Sequence, residues 1–576
     1  MSDRLANVAM PPDRAVPTRL GNWVFEGKAT LLRLRRSGRE LADPVKRHRA
    51  GQALADAPVL ARVTSPLWTS QGGAKDRALN AGKIQNLRAA IAGLDGIEVG
   101  VGEVLSFWRQ VGKPLKRRGF VEGRELREGC MIATVGGGLC QLSNALYEAA
   151  VDAGLEVVER HAHTRIVPGS RAAAGRDATV FWNYLDFRVR SRHAFRIDAT
   201  LSADALDVTV RGFGEGAIAP TPAFLTGSAA HDCLSCGQVS CHRHNPDTEP
   251  VDAPTAWLVD AATPEFAALY RACADEADLL MLPSRRFGRQ ASGWPTVAPE
   301  RTTDIAVLQR SLALRTAAKG TPRAALLLAA DARLAKAYAR RLSAQYTHLV
   351  IAQPLLPHLW RLGALRGRSF EVLLDRLPID ALHDLLDTAA ERHPDSPTLG
   401  DFRAPASVAQ AEREALGAAT RLITPHRAVA ACFPRDRVEV IDWLPAPALA
   451  AQRDGKTFLF AGPALARKGV HAMRAAIAGL DARLAIERPG EDQPGFWGDL
   501  DVQLQTDAPD QLAGVILPAL VEHNPRTLLR ALAAGLPVIA TPACGLPAQP
   551  GLTLIPANDP AALRDAMQHA LDSAPA

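Results

Sequence analysis

The chain has 576 residues, 47% of them apolar and 22% charged, with a formal net charge of +6. That length exceeds one ordinary core and calls for several domains, and the composition is that of folded globular protein. The charge is small for the length, and no window is both basic and aromatic, which argues against a nucleic-acid binder.

Met1 to Val16 holds prolines and charges of both signs without an apolar core of signal-peptide length. No run approaches the roughly 20 apolar residues of a membrane span. The expected location is therefore the cytoplasm, with peripheral membrane contact left open. Three of the 8 cysteines fall between Cys233 and Cys241. That clustering points to metal-binding or catalytic thiols in a reducing compartment, not to a disulfide framework.

Residues 23 to 50 read as a basic amphipathic helix, with Trp23, Val24, Leu31, Leu32 and Leu34 among Lys28, Arg33, Arg35, Arg36 and Arg39. The expectation is a packed apolar face and a solvated arginine face, with a membrane-surface role as the other option. A second helix spans 76 to 92 and closes at Gly93 and Gly96. Ser106 to Gly112 and Gly119 to Gly123 read as short strands and turns.

The run Gly136-Gly137-Gly138-Leu139-Cys140-Gln141-Leu142-Ser143-Asn144-Ala145-Leu146-Tyr147 organises this half. It reads as a glycine loop feeding a helix that carries Cys140 in its first turn and stops by Gly154. Consecutive glycines permit positive φ and close approach. A thiol at a helix N-terminus sits beside unpaired N–H groups that stabilise its thiolate. A buried packing cysteine is the competing reading. Downstream, a strand from Leu155 runs into His161 and His163, and Asp177 opens a strand read over 177 to 184. Further strands at 187–190, 195–202 and 206–212 make an α+β pattern. Thiolate, imidazole and carboxylate in that order suit acyl chemistry: the thiolate attacks, the imidazole shuttles a proton, and the carboxylate orients it. This is the order of a transglutaminase-like or papain-like enzyme. His161 and His163 lie two apart, share a strand face, and are both candidates for the base.

The stretches Leu105 to Trp108, Val135 to Tyr147, Glu159 to His163 and Gly175 to Val180 together resemble the VanW family over roughly residues 17 to 212. The resemblance implies an α+β domain connected with cell-wall or glycopeptide-resistance biology. It implies no particular reaction; acyl transfer rests on residue types and order.

Residues 213 to 255 read as a linker with a small embedded site. Cys233, Cys236, Cys241 and His244, with His242 adjacent, have spacing suited to zinc. An iron–sulfur cluster with Cys273 as fourth ligand, or no metal, are the alternatives.

From Trp257 short apolar runs alternate with alanine- and leucine-rich helices, which implies βαβ units and parallel sheets. Two such stretches, 256–445 and 456–575, are separated by a break at Pro445 to Gly455. Phe460-Ala461-Gly462, Arg467-Lys468-Gly469, Glu522, Asn524-Pro525 and Leu528 to Pro542 resemble the nucleotide-sugar domain of retaining GT-B glycosyltransferases of the family-four type. The resemblance implies a pair of Rossmann-like domains and a nucleotide-sugar donor. Gly462, Arg467 and Lys468 would cradle its diphosphate and Glu522 would face its sugar. Arg530 stands where that family carries a second glutamate, for ribose. His358, His383 and His426 are unranked candidates for a catalytic histidine.

The expected whole is multidomain: a VanW-like α+β domain, a cysteine-bearing linker, and two Rossmann-like α/β domains of GT-B type acting on a glycan or cell-wall precursor. The alternative is a non-catalytic scaffold that binds a nucleotide-sugar through a degenerate glycosyltransferase module.

Overall fold

The computed structural model describes residues 19–42, 44–68, 74–127, 130–163, 165–166, 175–214, 228–229, 253–285, 293–316, 323–504 and 510–573. The chain divides into two compact units. The first holds residues up to Pro254 together with Ser343–His348 and Leu365–Ser369, and the second holds the rest from Thr255 onward.

In the first unit, helix α1 (Arg19–Ala42) is followed by β1 (Val59–Pro66), α2 (Ala74–Ile91), β2 (Ile97–Val99), β3 (Val104–Ser106), α3 (Phe107–Val111), β4 (Glu122–Arg127), β5 (Cys130–Val135), α4 (Cys140–Asp152), β6 (Glu156–Glu159), β7 (Arg188–Arg190), β8 (Phe195–Leu201) and β9 (Ala205–Gly212). The main sheet is four-stranded and antiparallel in the order β1-β9-β8-β2. Alternation along the strands decides its buried face: Leu206, Val208 and Val210 of β9 and Ile197 and Ala199 of β8 are buried. They form one core with Ile84, Leu87 and Ile91 of α2 and Leu142, Leu146 and Ala149 of α4. A smaller sheet pairs β3-β7-β6, and β4 and β5 form a hairpin leading into the glycine loop.

Three expectations are corrected here. Phe107–Val111 is a short helix, because Ser106 caps it by accepting from the Arg109 amide. Residues 177–180 carry no regular strand; side chains of α4 hold that segment. On α1 the expected polarity is inverted. Trp23 is 78% exposed and Leu41 86%, while Arg36 is buried. The cause is specific pairing: the Arg36 guanidinium meets both Glu159 oxygens at 2.7 and 2.8 Å and Asp186 at 3.2 Å. A forked donor facing two carboxylates outweighs the apolar stripe in choosing the packed side.

The second unit holds two parallel sheets. The seven-stranded sheet starts at Thr255–Leu258 and places its strands in the chain order 3-2-1-4-5-6-7; the six-stranded sheet starts at Gln452–Ala464 and runs 3-2-1-4-5-6. Pairing is parallel, as between Phe458 and Leu484 and between Val515 and Val538. Both orders reverse beside the first strand, the position where doubly wound sheets open a crevice at their carboxyl ends. Among the described residues, no helix is long and apolar enough to cross a membrane.

Candidate functional site

The glycine loop is shaped by contacts that no other residue permits. Gly138 has φ of 95°, and a Cβ there would overlap the Lys83 side chain. A Cβ on Gly137 would overlap the Gly123 carbonyl oxygen. Asn86 of α2 pins the loop by donating to the carbonyls of Gly137 at 2.9 Å and Val121 at 3.0 Å. The chain then enters α4 with no side-chain cap. The amides of Gly138, Leu139 and Cys140 make no backbone hydrogen bond among the described residues, so donors stand available beside the thiol.

The polar residues after Cys140 have structural tasks. Gln141 donates to Ser65 Oγ at 3.0 Å and to the Pro66 carbonyl at 2.8 Å, tying α4 to the end of β1. Ser143 Oγ donates to the Ala178 carbonyl at 2.5 Å, and Asn144 Oδ1 accepts from the Ala178 amide at 2.8 Å. The motif thus holds the segment that carries Asp177.

Asp177 is buried. One of its oxygens accepts from the His163 amide at 2.7 Å and meets His163 Nδ1 at 2.6 Å; the other accepts from Arg160 at 2.8 Å. Arg160 also lies 4.7 Å over the Tyr147 ring, a cation–π contact. Burial acts to lower the His163 pKa, but hydrogen bonds to Asp177 and Cys140, with the charge of each, carry it up from its ordinary value of 6.5 to about 9. Burial acts to raise the Asp177 pKa, and its bonds to His163 outweigh that and hold it low. Asp177 thus fixes the His163 ring, which lines the same cavity as Cys140, whose Sγ lies 3.9 Å from the Val180 carbonyl oxygen.

His161 does not join them. Strand β6 ends at Glu159, so the pleat that would place both histidines on one face has already stopped. His161 Nε2 lies 3.0 Å from Glu159 Oε1, in the network around Arg36. A cavity of about 550 Å³ opens over Cys140 and His163, walled by Trp108, Phe181 and Trp182 and by the glycine loop.

A second cavity, of about 370 Å³, lies at the carboxyl end of the six-stranded sheet and is lined by Gly462, Arg467, Lys468 and Glu522, with Asn524 and Thr527. All four residues expected there are brought together. Gly469 is required beside them: its φ is 80° and a Cβ would overlap the Pro518 carbonyl oxygen. Lys468 Nζ meets Glu522 at 2.7 Å and the Val521 carbonyl at 3.0 Å. Burial acts to lower the Lys468 pKa and to raise that of Glu522, and the pairing with Lys468 holds Glu522 below its ordinary value. Arg467 lies 4.6 Å over the Phe402 ring. Arg530 is not in this lining; its Nε donates to the Pro447 carbonyl at 3.4 Å.

Of the three candidate histidines, only His426 touches this region, meeting the Glu522 carbonyl through Nε2 at 2.7 Å while its Nδ1 accepts from Val429. His383 accepts from the Ala404 amide. His358 is buried, with its Nε2 unpartnered among the described residues. Sequence reading missed Asp260 and Asp375, each two residues past a strand of the seven-stranded sheet. With Asp331 and Arg376 they form one electrostatic group, in which burial and Asp260 push Asp331 up to about 7. An aspartate just beyond an apolar strand was the available signal. Cys233, Cys236, Cys241 and His244 lie outside the described residues. Cys273 is a free, exposed thiol, and among the described residues no cluster of His, Cys, Asp or Glu is arranged to hold a metal ion.

Residues 82–211 match the family model described as VanW like protein, and residues 449–573 match that described as Glycosyl transferases group 1. An uncharacterized protein, YoaR, of Bacillus subtilis is 35% identical over 114 residues, which cover 20% of this chain and 37% of that protein. The vancomycin B-type resistance protein VanW of Enterococcus faecalis is 31% identical over 119 residues, covering 20% of this chain and 43% of that one. The matched segment thus spans less than half the length of either curated relative. Among solved structures, sucrose-phosphate synthase from Thermosynechococcus elongatus is similar with a TM-score of 0.38 at 15% identity, covering 56% of this chain and 90% of that one. Anabaena HepE in complex with UDP and glucose is similar with a TM-score of 0.33 at 13% identity, covering 56% and 90%. The chain therefore carries a VanW-like domain, similar to part of the vancomycin B-type resistance protein VanW, and a glycosyltransferase group 1 domain.

Proposed function

We propose that the VanW-like domain is a cysteine-dependent acyl transferase or hydrolase, and that the glycosyltransferase-like half transfers a sugar from a nucleotide-sugar to a cell-envelope glycan or its precursor. The observation that carries the first part is that Cys140 and the Asp177-bonded His163 line one cavity. In that reading the Cys140 thiolate adds to an acyl carbon. A C–S bond forms, the bond to the leaving group breaks, and the leaving group takes the proton held by His163. Water or a second nucleophile then attacks the thioester, gives its proton back to His163, and releases the Cys140 thiolate as the C–S bond breaks. The available amides at the start of α4 would stabilise the developing oxyanion. The full chain, treated with a thiol-reactive acyl probe, should be labelled at Cys140. Cys140→Ala should abolish that labelled peptide; equal labelling of the variant would refute the nucleophile.

The family match and the cationic lining of the second cavity support a nucleotide-sugar donor. One observation favours a second reading, a binding module without turnover: Glu522 is already neutralised by Lys468, and Arg530 lies away from the cavity. Calorimetry with UDP- and GDP-glucose followed by a turnover assay separates them. Binding accompanied by release of the nucleoside diphosphate supports transfer, and binding with the sugar intact supports the module.

A further inference from the structure

The cavity over Cys140 is electrostatically one-sided. Among the described residues, Arg33, Lys83, Lys113 and Arg124 line it with one carboxylate, Glu125, to which Thr134 donates at 2.6 Å. Lys83 is the most informative of these. It is only 5% exposed, and its Nζ reaches a neutral acceptor, the Leu67 carbonyl, at 2.5 Å. One buried carboxylate of the same helix, Asp76, acts on its charge. Burial, reinforced by the charge of Arg124 and opposed by that of Asp76, lowers its pKa to about 8. A buried ammonium is costly to desolvate, and this one has further protons to donate. Its stem lies against Gly138, two residues before the thiol, in the space a side chain at 138 would fill. The cation and the nucleophile therefore share one wall. Trp108 and Trp182 also line the cavity and meet edge to face with centroids 5.3 Å apart, offering an apolar platform.

We propose that the acyl group delivered to Cys140 carries a carboxylate, which Lys83 and Arg124 bind while the remainder rests on Trp108 and Trp182. The inference rests on the nucleophile reading above and names its substrate class. The substrate carboxylate would add a counter-charge to this basic lining. A charged cleft of this kind raises the local concentration of the matching ion by about tenfold or more.

The test compares alkylation of Cys140 in the full chain by iodoacetate and by iodoacetamide, read by peptide mass spectrometry because Cys273 and Cys432 are also exposed. The two reagents differ in the carboxylate. The iodoacetate-to-iodoacetamide rate ratio at Cys140 should exceed that of free cysteine by about tenfold. It should fall with added salt, fall at least about fivefold in Arg124→Gln and Lys83→Met, and be restored in Arg124→Lys. A ratio equal to that of free cysteine, with brisk iodoacetamide labelling, overturns the carboxylate and leaves the nucleophile standing. A high ratio that survives both neutral substitutions overturns the assignment to Lys83 and Arg124. Labelling no faster than free cysteine with either reagent overturns the nucleophile and this inference with it.

Discussion

Replacing Asp177 by asparagine is expected to slow acylation of Cys140 by about 10²–10⁴-fold, the usual worth of a correctly poised proton-transfer group. Where an amide is neutral and accepts at one end only, the carboxylate carries a charge and accepts at both oxygens, the second from Arg160. It accepts from both the backbone and the ring of His163, which sets the ring's orientation, and its charge helps to raise the His163 pKa to about 9. The pH profile separates this positioning role from a loss of folding. In the native chain the rate should fall as pH rises through about 9, because the imidazolium that protonates the leaving group is then lost. In Asp177→Asn that falling limb should move down toward the ordinary 6.5. A limb that stays near 9 would show that Asp177 does not govern His163. Stability follows the same sign. A histidine whose folded pKa is raised contributes stability that is complete below about 6.5 and is lost as pH rises through about 9.

The second large effect is expected at Lys468. Its side chain is 8% exposed and that of Glu522 is 11% exposed, with 2.7 Å between them. Lys468→Met would leave Glu522 buried without its counter-ion, which costs about 3–5 kcal/mol. The double variant, Lys468→Met with Glu522→Gln, removes both charges and should regain much of that loss, giving a coupling energy of about 0.5–3 kcal/mol. UDP binding by calorimetry should weaken in both variants, because one of the cations lining the proposed diphosphate site is gone. Urea unfolding of the second unit measures the stability terms. A single variant that loses under about 1 kcal/mol would mean that the charges are solvated rather than buried together.

Much of the architecture is legible in the chain because it depends on local rules. Alternating apolar residues in 195–212 and the βαβ rhythm after Trp257 follow from strand and helix periods, which hold wherever a chain buries one face. The elements near Ser106 and Asp177 depart from those rules for one reason. In both places a side-chain hydrogen bond, from the Ser106 cap in one case and from Ser143 and Asn144 in the other, replaces a ladder that β-type residues alone would suggest. The inverted α1 has a related origin: Arg36 finds Glu159 and Asp186 more than a hundred residues later.

For the sites, the sequence by itself determined the chemistry on offer: a thiol after three glycines, two histidines, an aspartate, and the Arg467, Lys468 and Glu522 set. Residue types and short spacings survive folding unchanged. Only the tertiary structure sets His161 against Glu159 and His163 against Asp177, because that pairing turns on where β6 stops and which carboxylate each ring then meets. Only the structure placed Lys83 against Gly138. That contact joins α2 to a loop more than fifty residues later, and no local pattern in the chain encodes so distant a pairing.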